Sequence, residues 1–418
     1  MISFLINAFK IIFVLGFLVL IHEGGHFLVA KLFKVKVNEF SIGFGKQLLS
    51  KQKGETTYSL RIFPFGGFVS MLGEEEKSDD ERSFSKQNVF KRIAIVAAGG
   101  IVNIVFGLLL YFILIACIGN FASRNVESTI EDYGAEMAGI LPGDEIVEIN
   151  GKHVFIVQDL NSELAKTGAD VVRLKVKRNG ELKEFEVTPT EIKTKSIGIY
   201  LEQESNEKTK ITYMSEDSPA RDLLKVGDII LEINGENVKN NYEKLVEIIE
   251  NAESELLLKI DRNGEEKQVS VIPKEYSSYY IGVVFKPADK DFFTRVYYSW
   301  FETGNFAILL VDNVKNLFTG GASVDQMMGP IGISKTVVST STIDDFVYLI
   351  SLISLSLGIT NLLPFPALDG GKILILIIEA IRRKPMKENT EILIQMIGFS
   401  LLILLSIYIS YIDILRFF

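Results

Sequence analysis

His22-Glu23-Gly24-Gly25-His26 sets two imidazoles four residues apart with a carboxylate beside the first. On a helix, positions i and i+4 share a face with Cβ atoms about 6 Å apart, so the two rings can hold one zinc ion. Glu23, one step along, faces sideways into the same space, where a carboxylate can take a proton from the attacking water and return it to a leaving amine. A catalytic zinc takes three protein ligands and keeps a fourth position open. The one other histidine, His153, follows the Asn150-Gly151 turn and reads as a surface residue. The third ligand is therefore expected to be a carboxylate: Asp369, beside Pro364 and Pro366 and followed by Gly370-Gly371, ahead of Glu379. The alternative for the histidines is a structural pair hydrogen-bonded to a neighbouring helix.

The positioning elements are apolar. Hydrophobic residues make up 48% of the 418, more than in most soluble domains. The net charge of −9 excludes the basic face that nucleic-acid binding requires. Cys117 is the only cysteine, so no disulfide forms within the chain, and it reads as apolar filler. Four segments are long enough to cross a bilayer, which takes about 20 helical residues: 1–33, carrying the histidines; 93–118; 346–381; and 391–415. The first has no cleavage site and reads as a span rather than a signal peptide. The third is broken by its prolines and glycines, and unwound backbone at membrane depth survives only against protein or a wet cavity. Two histidines and a carboxylate at that depth are costly unless paired or metal-bound. Gly24 and Gly25 weaken their helix, which implies a close neighbour, expected to be the broken span. Eleven basic residues in Lys34–Arg92 and four in Arg382–Lys387 put both segments in the cytoplasm, with both termini and the stretch 120–345 outside.

The outer stretch repeats itself. Gly143-Asp144-Glu-Ile-Val-Glu-Ile-Asn150-Gly151 recurs as Gly227-Asp228-Ile-Ile-Leu-Glu-Ile-Asn234-Gly235, an offset of 84 residues. At the same offset, alternating apolar residues flank Asn179-Gly180 and Asn263-Gly264, the signal for a tight type I′ hairpin. Each copy reads as a small β-rich domain with one helix, about 157–167 and 242–251. The pattern resembles PDZ domains of bacterial envelope proteases, with copies at 121–195 and 196–285. Such domains take a peptide, often by its terminus, as an added strand; the plainer possibility is a spacer or filter that binds nothing specific. Phe292 to Phe318 mixes aromatics with charges as an interfacial helix does, within an amphipathic region 291–345. Glu74–Glu81 is an acidic run expected to be a solvated loop.

Together, His-Glu-Gly-Gly-His and Asn361-Leu-Leu-Pro-Phe-Pro-Ala-Leu-Asp-Gly-Gly371 resemble the paired signatures of the site-2 protease family, intramembrane zinc metalloproteases. Phe40-Ser-Ile-Gly-Phe-Gly-Lys46, Pro64-Phe-Gly-Gly-Phe-Val69 and Met328-Gly-Pro-Ile-Gly-Ile333, with two PDZ-like copies, extend the resemblance to the bacterial RseP-like branch of sigma-E protease regulators. The resemblance implies a multi-pass α-helical protein of the bacterial cytoplasmic (inner) membrane. It implies Zn2+ on His22, His26 and Asp369, with Glu23 as base. It further implies substrate positioning by Asn361 and the Pro364/Pro366 turn, and a β-hairpin within 34–92 that re-enters the membrane and contains Gly43-Phe44-Gly45. The implied substrates are single-pass membrane proteins, of anti-sigma-factor type or left-over signal peptides. Two departures, Ala98-Gly99-Gly100 without a following proline and glycine at the first variable metal-motif position, remove neither a ligand nor the base and bear on helix packing and the shape of the substrate cleft. A non-catalytic PDZ scaffold is the competing class; it would carry no stoichiometric zinc. A transporter, the third class, lacks paired half-length segments.

Overall fold

The computed structural model describes residues 2–74, 78–201, 208–215, 217–262, 264–319, 328–340, 342–384 and 386–417. Two compact units emerge: a helical one from Met1–Gly119 with Ser299–Ile414, and a β-rich one built on Asn120–Tyr298. The helical unit opens with α1 (Ile2–Leu32), a hairpin of β1 (Val37–Lys53) and β2 (Thr56–Met71), and α2 (Val89–Ile118), which starts four residues before the apolar run. Asn88 begins α2, its side chain accepting the Phe90 N–H.

The hairpin is folded on itself. Phe40 pairs with both Val69 and Tyr58, and Ile42 with both Gly67 and Leu60, so residues 39–42 run between two flanking segments. Segment 67–71 therefore keeps one side without a strand partner among the described residues.

The β-rich unit contains β3 (Ala122–Thr129), α3 (Gly134–Met137), β4 (Glu145–Ile149), β5 (Lys152–His153), α4 (Val157–Thr167), β6 (Val172–Arg178), β7 (Glu181–Val187) and β8 (Thr190–Ser196). It continues with β9 (Ile199–Leu201), β10 (Ile211–Met214), β11 (Ile229–Ile233), β12 (Glu236–Asn237), α5 (Tyr242–Glu250), β13 (Leu256–Arg262), β14 (Glu265–Val271), β15 (Lys274–Tyr280) and β16 (Val283–Pro287). The repeat is visible in three dimensions: β4-β6-β7 and β11-β13-β14 are the same ladder. Alternation buries Val172, Leu174 and Val176 in one copy and Leu256, Leu258 and Ile260 in the other. Asn179-Gly180 turns with both φ positive, as a type I′ hairpin requires; Asn263 of the second turn lies outside the described residues.

One boundary expected from the repeat is wrong. Residues 281–285 do not complete the second copy: β16 pairs with β3, Val283 opposite Thr129, and Ile281 lies in the first copy's core with Val126, Ile146 and Leu174. The second copy closes with β9 and β10 over a core of Ile197, Ile230, Leu258 and Val271. The chain thus leaves the first copy, builds the second and returns, with β8 and β15 paired antiparallel at the crossing. An 84-residue repeat looks the same whether copies follow one another or nest, so only strand pairing decides.

Helices α6 (Phe292–Thr319), which the helical unit takes up from Ser299, α7 (Pro330–Ser339), α8 (Ile343–Asn361), α9 (Asp369–Arg382) and α10 (Glu388–Phe417) follow. Four helices have the length and apolarity to cross a membrane: Leu5–Leu32, Val89–Ile118, Ile343–Asn361 and Asn389–Ile414. The break in the third apolar region is real, with residues 362–368 between α8 and α9. The amphipathic region resolves into α6 and α7, and the ring of Phe306 stacks on Tyr111 at 4.1 Å between centroids. Of the acidic run, residues 75–77 lie outside the description; Glu74 binds Lys372 Nζ at 2.6 Å.

Candidate metal centre

Helix α2 is the platform of the site. Gly25 of α1 meets Ala98 and Gly99 of α2, where an added Cβ would lie 2.6 Å from the Ala98 carbonyl oxygen. The close neighbour of the α1 glycines is therefore the second span and not the broken third, and it touches Gly25 alone: Gly24 has nothing within 4 Å. Across α2, Gly100 and Gly107 face Gly358 and Ser351 of α8, and Ser354 Oγ donates to the Asn103 carbonyl at 2.9 Å. Small residues at such crossings let backbones approach where lipid gives helices no reason to cluster by burial alone. A Cβ on Gly99 would collide with the His26 ring and lie 2.8 Å from His22 Cε1. The imidazoles occupy the space that this glycine leaves.

Asp369 arrives from the other direction. It is the first residue of α9, where a carboxylate suits the positive end of the helix. The chain turns back so sharply over 362–368 that side chains on Gly370 or Gly371 would strike the carbonyls of Leu362, Leu363 and Phe365. Ala367, within the turn, has φ 73°, left-handed for a residue that bears a Cβ.

His22 Nε2 lies 3.2 Å from Asp369 Oδ2, His26 Nε2 lies 3.4 Å from it, and the two ring nitrogens are 3.3 Å apart. Tetrahedral zinc with bonds of about 2.0–2.1 Å holds its ligand atoms about 3.3 Å from one another. The protonation pattern also fits a cation. His26 Nδ1–H donates to the Ile95 carbonyl at 2.8 Å, which leaves Nε2 with a lone pair facing the triangle. His22 Nδ1 lies 3.4 Å from the Asn103 side-chain amide, whose Oδ1 has no other partner; with the amide turned over, that oxygen accepts the Nδ1–H and frees His22 Nε2 in turn. Asp369 Oδ2 is buried without a hydrogen-bond donor. With both rings neutral and turned this way, three acceptors converge, a set that a divalent ion would satisfy. These are also the one His/Cys/Asp/Glu trio with metal-binding spacing among the described residues.

Glu23 interacts electrostatically with both histidines and Asp369, and its Cγ lies 3.4 Å from where a Cβ on Gly67 would sit. The general base candidate thus lies against the open-sided segment of β2. Asn361 ends α8, Pro364 is exposed and Pro366 half-buried in the turn leading to Asp369. Gly43 is buried, while Phe44 and Gly45 are exposed, both glycines having positive φ. Glu379 is not in the trio: it is buried against Arg92 at 3.3 Å and accepts the Met386 N–H. His153 is an exposed β5 residue whose ring meets Phe155 edge-on. Asn103 is a lone polar residue in the apolar run 93–118, and that anomaly is the signal the sequence offers for its contact with His22.

A profile of peptidase family M50 matches residues 10–405. Zinc metalloprotease RasP of Geobacillus kaustophilus is 31% identical over 100% of both chains. Regulator of sigma E protease of Haemophilus influenzae is 30% identical over 99% of this chain and 100% of its own, and regulator of sigma-W protease RasP of Bacillus subtilis is 30% identical over 98% of each. Among solved structures, an HtrA3 PDZ domain bound to a phage-derived ligand aligns with 21% of this chain and 93% of its own at 22% identity, with a TM-score of 0.19 that supports no argument. A match from end to end, on a chain whose two histidines and aspartate converge, settles the family: this protein belongs to peptidase family M50, the site-2 proteases, and is a zinc metalloprotease.

Proposed function

We propose that this protease hydrolyses peptide bonds within the membrane-spanning segments of single-pass proteins, with zinc held by His22, His26 and Asp369. The observation that carries the reading is the triangle of ring nitrogens and carboxylate oxygen on helices of bilayer-spanning length. When bound, zinc polarises the scissile carbonyl and acidifies coordinated water. Glu23 takes the proton from the attacking water and delivers it to the leaving amine. A substrate helix hides its peptide groups in its own hydrogen bonds and must be opened first. The free side of segment 67–71, against Glu23, suits an extended substrate added as a strand, and Asn361 and the Pro364/Pro366 turn, which leads into Asp369, would position it. Exposed Phe44, Leu48, Leu49 and Phe63 suit a hairpin that dips into the bilayer from the basic, cytoplasmic side.

On this reading both termini and the β-rich unit lie outside the bacterial cytoplasmic membrane. The β copies act as PDZ-like modules. The second has a cleft of about 480 Å³ between residues 197–201 and α5, the dimensions of an extended peptide, and it selects substrates already shortened on the outer side. Regulators of anti-sigma-factor type and left-over signal peptides have the required form. Replacing Glu23→Gln tests the mechanism. Cleavage of a model single-span substrate in reconstituted membranes is expected to fall about 10²–10⁴-fold with zinc content unchanged; wild-type cleavage would remove Glu23 from the chemistry.

A further inference from the structure

Gln395 lies in the last span, an otherwise lipid-facing helix whose buried described residues are Gly398, Ile409 and Asp413. An amide in such a helix is costly unless it has a partner. Its Oε1 accepts the Ala367 N–H at 2.5 Å. Ala367 is the left-handed residue of the turn and stands two positions before Asp369. One helical turn past Gln395, a Cβ on Gly398 would lie 2.5 Å from the Pro366 carbonyl oxygen, so α10 is pressed against the same turn by backbone contact. Two independent features of α10 thus converge on Pro366-Ala367.

We infer that Gln395 is a positioning residue for the metal centre: its carbonyl pins the strained Ala367 and fixes where α9 begins, and with it the approach of Asp369 to the two imidazoles. A left-handed alanine is strained and persists only when its surroundings hold it. The Ala367 N–H has the Gln395 oxygen as its acceptor. Removing that oxygen leaves a donor unsatisfied beside a turn already inclined to relax. Residues that orient metal ligands from behind typically change affinity about 10–100-fold when replaced.

The inference rests on Asp369 being a zinc ligand, and the experiment separates the two. Zinc affinity of the full-length protein is measured by chelator competition for wild type, Asp369→Ala, Gln395→Leu, Gln395→Glu and Gly398→Ala. Gln395→Leu is expected to weaken binding about 10–100-fold. Gln395→Glu, which keeps an acceptor at the same reach, is expected to restore it to within about threefold, and Gly398→Ala, which pushes on the same turn, to weaken it as Gln395→Leu does. Should Asp369→Ala bind zinc like wild type, the ligand assignment itself fails. If Asp369→Ala loses zinc but Gln395→Leu does not, the ligand stands and the positioning role is overturned. Equal losses in the Leu and Glu variants would overturn the acceptor role, and rescue by Glu excludes general misfolding of α10.

Discussion

In the helical unit, glycine marks where another chain segment passes: Gly25 against Ala98, Gly99 against the imidazoles, Gly358 against Gly100, Gly398 against Pro366. In the β-rich unit, Gly151, Gly180 and Gly235 have nothing within 4 Å of a Cβ and are set instead at positive φ in tight turns. These helix-crossing glycines serve by their missing volume and these turn glycines by their backbone freedom. The reason is the solvent. Helices in lipid gain little by burying apolar side chains against one another and rely on close backbone approach. The β copies exclude water from cores such as Val126, Ile146 and Leu174, and join their ladders by charge: Arg178 grips Asp144 and Arg262 grips Asp228, each through two nitrogens.

The contrast breaks most visibly at Gly99. Gly99→Ala puts a methyl where the imidazoles lie, and zinc affinity is expected to fall about 100-fold or more, whereas Gly24→Ala, in open space, should leave zinc binding intact and add about 1 kcal/mol of helix stability. Equal zinc titrations for the two variants would remove the steric account. In the β-rich unit the expected lesion is one of stability alone. Asp228→Ala strips the carboxylate from Arg262, whose side chain is 21% exposed and so recovers some hydration. A loss of about 3 kcal/mol is expected, seen as hydrogen exchange in β11, β13 and β14 roughly 100-fold faster with zinc affinity unchanged. Altered zinc affinity there would show that the units are not energetically separate.

The smallest effect concerns pH. Burial alone would raise the Asp144 carboxyl, but hydrogen bonds from Arg178 and the Leu141 N–H, with the guanidinium charge, hold it below the ordinary 3.8. A pKa lower in the folded than in the unfolded state contributes stability that is complete above the unfolded value and lost as pH falls through the folded one. Exchange protection in β4 and β6 is therefore expected to be flat from neutral pH to about 5, once corrected for intrinsic exchange rates, and to decline below about 4. Protection that weakened on raising the pH from 5 to 7 would contradict the assignment.

Much of the candidate site is legible in the sequence because polar residues stand out in apolar runs. Histidines, prolines and a carboxylate within bilayer-length segments mark their own positions, and the structure gathers His22, His26 and Asp369 at one point. What lies behind them is less legible. Both flanking spans contain paired glycines, so composition could not tell which one Gly25 meets. Gln395 is the one amide within 391–415, a span that reads as ordinary, and its meaning depends on a turn 28 residues earlier. The hairpin's double pairing follows from bulges at the positive-φ Gly43 and Gly45, a feature that alternation alone does not encode.

The nested order of the β copies also constrains biosynthesis. Strand β16 is the last of the β-rich unit to be made, yet it closes the sheet that β3 began. The earlier copy cannot finish until the ribosome has passed Pro287, while the later one is complete by Val271. A nascent chain that ends between Val271 and Ile281 would carry a finished inner module inside an open outer one, with Ile281 missing from its core.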